Sequence, residues 1–304
     1  MSFRPTFDCL WCGRAASASG PDDLGGWAQL CPECLGKAGD NAFLRQRLRA
    51  ALTERSASTP AAAAGVGPAA ARAPAPAPAT DVDAEMKAYY AARAPEYDDW
   101  YRRRGRYNHG PVHDAAWDAE LDAAGRWLDA LPIRGEIVEL AAGTGWWSPL
   151  LAEKGELSLY DANEGPLELA RERLVAHGLR AHLHVRDVWA APDRRVDALF
   201  AGFWLSHVPR GRLDAFLRLA RAWLKPGGTF AAIDSLPDPQ AGATDNPRPA
   251  DGAVRRRLAD GREFTIVKVH YAPAELRAAA LRAGFAAADV TTTGRFFLLL
   301  NAIA

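Results

Sequence analysis

From about residue 133 to the end of the chain, the apolar positions follow two alternating periods. Short continuous apolar runs, as expected of strands buried on both faces, fall at 136–140, 156–160, 182–186, 196–201 and 228–234. Between them apolar residues recur three and four apart, which predicts helices over 146–154, 166–177 and 210–224. Alternation of this kind specifies a parallel sheet covered by helices on both faces, an α/β class. A Pro- and Gly-rich loop over 236–251 then breaks the pattern. After it come a strand-like run at 264–271, a helix over 273–284 closed by Gly284, and two strands, 287–293 and 295–302, about a turn at Gly294. The chain is expected to end in an antiparallel hairpin.

Upstream the pattern is helical over 81–132 and dense in aromatics, among them Tyr89, Tyr90, Tyr97, Trp100, Tyr101 and Trp117, a density that points first to packing. Residues 56–80 are almost all Ala and Pro, including Ala73-Pro74-Ala75-Pro76-Ala77-Pro78. Such a segment cannot bury a core and reads as a linker. The predicted organisation is therefore a small module over 1–55, a linker over 56–80, and a large domain over 81–304, whose first part, 81–132, is a helical cap on a core over 133–304.

Composition narrows the class. Basic and acidic side chains number 37 each, so no net field draws the whole protein to nucleic acid or anionic lipid. No apolar run reaches the length of a membrane span and residues 1–5 carry no signal-peptide core, which makes a cytoplasmic location the expectation.

The small module holds all four cysteines, Cys9, Cys12, Cys31 and Cys34, as two Cys-x2-Cys pairs. That spacing matches a structural four-thiolate zinc site, with metal binding expected to fold the segment. A helix over 41–55 follows, with Arg45, Arg47 and Arg49 off its apolar side, and the arrangement is similar to a zinc ribbon or treble-clef finger. Residues 1–56 carry 7 basic and 6 acidic side chains, a weak charge for a nucleic-acid module, so an RNA or protein partner stays open.

Candidate chemistry concentrates at Ile137-Val138-Glu139-Leu140-Ala141-Ala142-Gly143-Thr144-Gly145, an apolar strand running into a small-residue turn. Small residues there let a ligand approach the backbone, and the helix that follows offers free N–H groups. Together with Leu159-Tyr160-Asp161, Val185-Arg186-Asp187-Val188 and Leu224-Lys225-Pro226-Gly227-Gly228, in that order, this stretch resembles the ordered motifs of class I S-adenosylmethionine-dependent methyltransferases over about residues 85–304. The resemblance implies a Rossmann-like, seven-stranded, mostly parallel sheet with S-adenosylmethionine at the carboxyl ends of its strands. It implies that Glu139 accepts from the methionine ammonium, that Gly143 and Gly145 leave room for the methionyl and ribose parts, that Asp161 takes the ribose hydroxyls, and that Asp187 and Val188 meet the adenine. The segment 89–98, with Tyr97, resembles the helix that covers the cofactor in the small-molecule branch. One departure stands out: Ala141 occupies a position the family usually gives to Gly, which a methyl group tolerates if φ is negative there. A nicotinamide dehydrogenase is disfavoured because Ser148 and Pro149 stand where its fingerprint needs a small residue in tight helix–strand contact.

After the fourth strand the chain reads Ala201-Gly202-Phe203-Trp204, without the Asp/Asn-Pro-Pro-aromatic motif of enzymes that methylate exocyclic amines. Phe203 is expected to border the transferred methyl and, with Trp204, to favour an apolar or aromatic acceptor. His207 is the first candidate for a general base, with Tyr90, Tyr97, His109 and His113 behind it. The leading expectation is O- or N-methylation of a small metabolite. The alternatives are an RNA or protein methyltransferase that uses the zinc module for recognition, and a regulatory protein that binds the cofactor without catalysis.

Overall fold

Successive residues of the central strands point to opposite sides of one sheet, and this alternation builds two cores. Ile137, Leu157, Leu159, Ala198 and Phe200 belong to one buried cluster, and Val138, Leu140, Leu199 and Ala201 to the other. Each helix then lays one stripe on a face. On Glu164–Ala176 the buried residues are Pro166, Leu167, Ala170 and Leu174; on Pro111–Ala130 they include Trp117, Leu121, Ala124 and Leu128.

The computed structural model describes residues 6–8, 14–17, 31, 79–245 and 252–304. The chain divides into two units, Met1–Ala73 and Pro74–Ala304. In the first, β1 (Thr6–Asp8) and β2 (Ala15–Ser17) pair antiparallel. Cys31 is described and buried. Cys9, Cys12 and Cys34, the helix expected over 41–55 and the linker to residue 78 lie outside the described residues, so the four-thiolate site does too.

The second unit opens with α1 (Ala79–Arg93), a 3-10 turn, α2 (Tyr97–Tyr101) and α3 (Pro111–Ala130). There follow β3 (Gly135–Leu140), α4 (Ser148–Ala152), β4 (Gly155–Asp161), α5 (Glu164–Ala176), β5 (His182–Val185), β6 (Val196–Gly202), α6 (Leu213–Ala222) and β7 (Leu224–Ser235). The chain ends with β8 (Gly252–Arg257), β9 (Glu263–Lys268), α7 (Pro273–Arg282), β10 (Ala287–Thr292) and β11 (Phe297–Ile303). The seven-stranded sheet has the order β10-β11-β7-β6-β3-β4-β5; the pairs from β7 through β5 are parallel, and β11 is antiparallel to both β7 and β10. The chain winds outward from β3 through β4 to β5 and then crosses back to β6. The reversal lies between β3 and β6, where a parallel sheet opens a crevice at its carboxyl edge. The terminal hairpin is pinned to α3 by Glu120, whose carboxylate accepts from the backbone N–H groups of Arg295 (2.9 Å) and Phe296 (2.8 Å).

Three expectations change. The helix expected over 146–154 spans only Ser148–Ala152, because Gly145 at φ 70° turns the chain first and Pro149 occupies the first helical turn. The helix expected over 210–224 begins as a 3-10 turn, Arg210–Arg212, and becomes α-helical at Leu213. The strand-like run at 264–271 is strand only as far as Lys268, in β9, which pairs with β8 in a separate two-stranded sheet. No helix among the described residues is long and apolar enough to cross a membrane.

Candidate functional site

A cleft of about 880 Å³, counting the solvent-open space at its mouth, opens at the carboxyl ends of β3, β4 and β6 and is roofed by α1 and α2. Of the residues singled out in the sequence, Tyr97, Ala141, Gly143, Asp161, Asp187, Val188, Phe203 and His207 line it. Glu139 and Gly145 are not among the lining residues.

The turn after β3 explains this division. Ala141 has φ 50° and Gly143 φ 56°, both in the left-handed region. The condition under which a methyl group is tolerated, a negative φ at Ala141, is not met: the alanine is strained, and a backbone conformation suited to glycine is retained without glycine. Gly145, at φ 70°, faces away from the cleft; a Cβ there would come within 2.6 Å of the Ala170 Cβ on α5. Its small size lets the helix layer close on the turn.

Three acids stand around the turn. Asp161 ends β4 and accepts from the N–H groups of Gly143 (3.0 Å) and Asn163 (2.9 Å), so it ties the two strand ends together. Burial pushes its carboxyl up to about 6 against those bonds. Glu139 is 2% exposed behind the turn and accepts from the Ser148 hydroxyl at 2.6 Å. Burial raises it to about 8, although Ser148 and Arg173 act in the opposite direction. Asp187 accepts from the Trp189 N–H at 2.8 Å and forms an ion pair with Lys87 of α1. Burial acts to raise its pKa, but the bonds from Lys87 and Trp189 win and hold it below the usual carboxylate value.

The roof is latched by contacts that the sequence does not announce. Asp98 of α2 accepts from the Thr144 hydroxyl at 2.9 Å and pairs with Arg173, whose Nε donates to the Thr144 carbonyl at 3.0 Å. Tyr101 stacks on Trp146 with ring centroids 4.1 Å apart and planes at 3°. Phe203 closes the floor at φ 55°, a conformation rare for a bulky side chain, held by its N–H donating to the Ile233 carbonyl at 2.7 Å. Two strained residues thus face the same cleft.

His207 lines the cleft from the 3-10 turn Leu205–His207 that follows β6. Its Nδ1 is 2.6 Å from the Val267 carbonyl, which assigns the proton to that nitrogen and leaves Nε2 to accept from the Tyr90 hydroxyl at 2.7 Å. Burial pushes the imidazole well below its ordinary value, with Lys268 adding to the effect, so it is neutral near pH 7. Tyr90, Tyr97, Phe203 and His207 also line a second cavity, of about 770 Å³ counting the solvent-open space at its mouth. His109 and His113 line neither cavity. The first cleft lies at the carboxyl edge of the sheet beside the reversal of strand order, where ligands of open α/β sheets bind. Its acceptor set of carboxylates beside an exposed turn backbone suits an adenosyl group joined to a cationic amino acid, so the residues present fit S-adenosylmethionine.

Residues 137–228 match the family described as Methyltransferase domain. The DhpI–SAH complex is 32% identical with a TM-score of 0.58, over 74% of this chain and 98% of that one. A DhpI–SAM–HEP complex gives the same identity and TM-score, with 99% of its chain covered. The ubiquinone/menaquinone biosynthesis C-methyltransferase UbiE of Azotobacter vinelandii (strain DJ / ATCC BAA-1303) is 31% identical over 106 residues, 32% of this chain and 41% of that protein. The chain therefore spans less than half the length of this curated relative. The Burkholderia thailandensis 1,6-didemethyltoxoflavin-N1-methyltransferase shares the fold at 16% identity and a TM-score of 0.50, over 77% of this chain and 92% of that one.

Proposed function

Because the chain belongs to the S-adenosylmethionine-dependent methyltransferase family, we propose that it moves a methyl group from S-adenosylmethionine to an oxygen or nitrogen of a small acceptor. The observation that carries the reading is the junction of two cavities at Tyr90, Tyr97, Phe203 and His207, one suited to the cofactor and one left for the acceptor. When bound, the cofactor supplies an electrophilic methyl group on a sulfonium.

On this reading Asp161 accepts from the ribose hydroxyls, Val188 and Asp187 receive the adenine once Lys87 gives way, and Glu139 is the buried counter-charge for the ammonium. Ala141 and Gly143 offer their backbone, and Tyr97 and Phe203 enclose the ligand. Where the acceptor atom carries a proton, it passes to the Tyr90 oxygen as the Tyr90 proton passes to His207 Nε2, while the Val267 carbonyl steadies the imidazolium through Nδ1–H. Alignment across the junction carries most of the rate, and the Tyr90–His207 pair is the proton sink.

Residues 1–55 are read as a zinc module, 56–80 as a linker and 81–304 as the methyltransferase domain. The support is the Cys9, Cys12, Cys31, Cys34 spacing and the Ala/Pro composition, and a cytoplasmic setting would keep those thiols reduced. The test is a radiolabelled-methyl assay of the full chain on cell extract separated into small molecules, RNA and protein. Label in the small-molecule fraction is expected. Label confined to a macromolecular fraction would replace this reading with one in which the zinc module recruits an RNA or protein partner, and cofactor binding without any transfer would make the chain a regulatory binder.

A further inference from the structure

The second cavity holds more positive charge than its own carboxylates offset. Arg93 of α1 is 8% exposed, and its Nε is buried without a hydrogen-bond partner. Its guanidinium lies 4.4 Å from the Tyr97 ring centroid and 5.6 Å from that of Tyr107, so aromatic faces rather than a carboxylate hold it in place. Arg256 of β8 lines the same cavity and makes one long bond, 3.4 Å, to the Arg255 carbonyl. Among the described residues neither arginine is in an ion pair. Lys268 of β9 donates to the hydroxyls of Ser206 (2.9 Å) and Ser235 (3.1 Å), which leaves one of its three N–H groups unused.

The nearby acids are committed elsewhere. Asp238 pairs with Arg295 at 2.6 Å, and Asp234 accepts from the N–H groups of Ser206 (2.8 Å) and Ser235 (2.6 Å). Burial pushes the Lys268 ammonium down to about 8, against Asp234, and Arg256 and Arg93 push it further the same way. A buried guanidinium without a partner is costly, and several cations converging on one cavity form a site that an anion would complete.

We propose that this cavity grips an oxyanion of the acceptor, so that the acceptor is an anionic metabolite anchored by Arg93, Arg256 and Lys268. The atom to be methylated then faces Tyr90 and His207 at the junction. The inference rests on the methyl-transfer reading for the identity of the occupant, but the anion site stands on its own geometry. It also changes the expected acceptor, which carries a carboxylate, sulfonate or phosphate group besides any apolar part.

The test uses the full chain, with and without saturating S-adenosylhomocysteine, titrated with two matched pairs of probes, acetate against acetamide and methanesulfonate against dimethyl sulfone, and with inorganic phosphate. Binding is followed by protein-observed NMR. Oxyanions should bind and their neutral partners should not, and the arms separate planar from tetrahedral groups. Arg93→Met and Arg256→Met should each weaken oxyanion binding at least about tenfold, with Arg93→Lys recovering part of the loss. The S-adenosylhomocysteine isotherm of Arg256→Met certifies an intact fold and keeps the test decisive if Arg93→Met does not fold. Equal binding of neutral and anionic probes, or oxyanion binding unchanged in Arg256→Met, overturns the proposal. Loss of S-adenosylhomocysteine binding by the unsubstituted chain instead overturns the methyl-transfer reading, and the titration without it still decides the anion site.

Discussion

Ala141→Gly should stabilise the protein. Ala141 has φ 50°, and an alanine held in the left-handed region costs about 1–2 kcal/mol relative to its relaxed conformation. Glycine removes that strain but gives the unfolded chain more freedom, a loss of about 0.4–1 kcal/mol. The net gain is about 0.5–1 kcal/mol, or a rise of about 1–4 °C in Tm for a unit of this size. Two neighbours calibrate the measurement. Gly143→Ala at φ 56° meets nothing closer than 4.0 Å and should lose about 1 kcal/mol through strain alone. Gly145→Ala adds a 2.6 Å contact with the Ala170 Cβ and should lose about 2–5 kcal/mol. Scanning calorimetry of the three variants, with and without S-adenosylhomocysteine, provides the assay. A lower Tm for Ala141→Gly, or loss of ligand binding by it, would refute the account of the turn.

Glu139 should release a proton when S-adenosylhomocysteine binds, because burial holds its pKa at about 8 in the free protein and the ligand ammonium favours the carboxylate. Calorimetry at pH 7 in buffers of different ionisation enthalpy reads that proton directly, and its absence would remove Glu139 from the site. The same raised pKa makes the ligand-free protein lose stability as pH rises from Glu139's ordinary value near 4.5 through about 8, since the folded state binds the proton more tightly; Glu139→Gln should flatten that slope. His207→Ala should lower turnover about 100-fold while leaving S-adenosylhomocysteine affinity within about twofold, and an unchanged rate and pH profile would retire the base assignment. One zinc per chain should be found by metal analysis and removed by a chelator. Deletion of residues 1–80 should abolish the zinc but not the binding of S-adenosylhomocysteine; zinc retained after the deletion would contradict the four-thiolate reading.

The central sheet was legible because β3, β4 and β6 are buried on both faces and read as apolar runs. Asp161 and Asp187 were legible as strand-end acids because the motifs fix their distance from the turn. β8 was not, since Gly252-Ala253-Val254-Arg255-Arg256-Arg257 carries three consecutive arginines and pairs only with β9 on the periphery. The roof latch was equally hidden: Asp98 and Thr144 are 46 residues apart and Lys87 and Asp187 are 100, distances over which no local periodicity reports a contact. The packing of Gly145 under α5 was not legible, because a glycine next to a binding turn and a glycine under a helix look alike in sequence. The backbone sign at Ala141 was hidden for the related reason that alanine itself rarely marks positive φ.

The claim on which the rest depends is that the cleft at the carboxyl ends of β3, β4 and β6 holds the cofactor. Isothermal titration of S-adenosylhomocysteine into the full chain and into Asp161→Ala tests it, with Glu156→Ala at the far end of β4 as control and melting temperatures as a check on folding. The account predicts one site per chain, at least about tenfold weaker binding in Asp161→Ala, and no change in Glu156→Ala. No heat of binding, or equal affinity in folded Asp161→Ala, would contradict it.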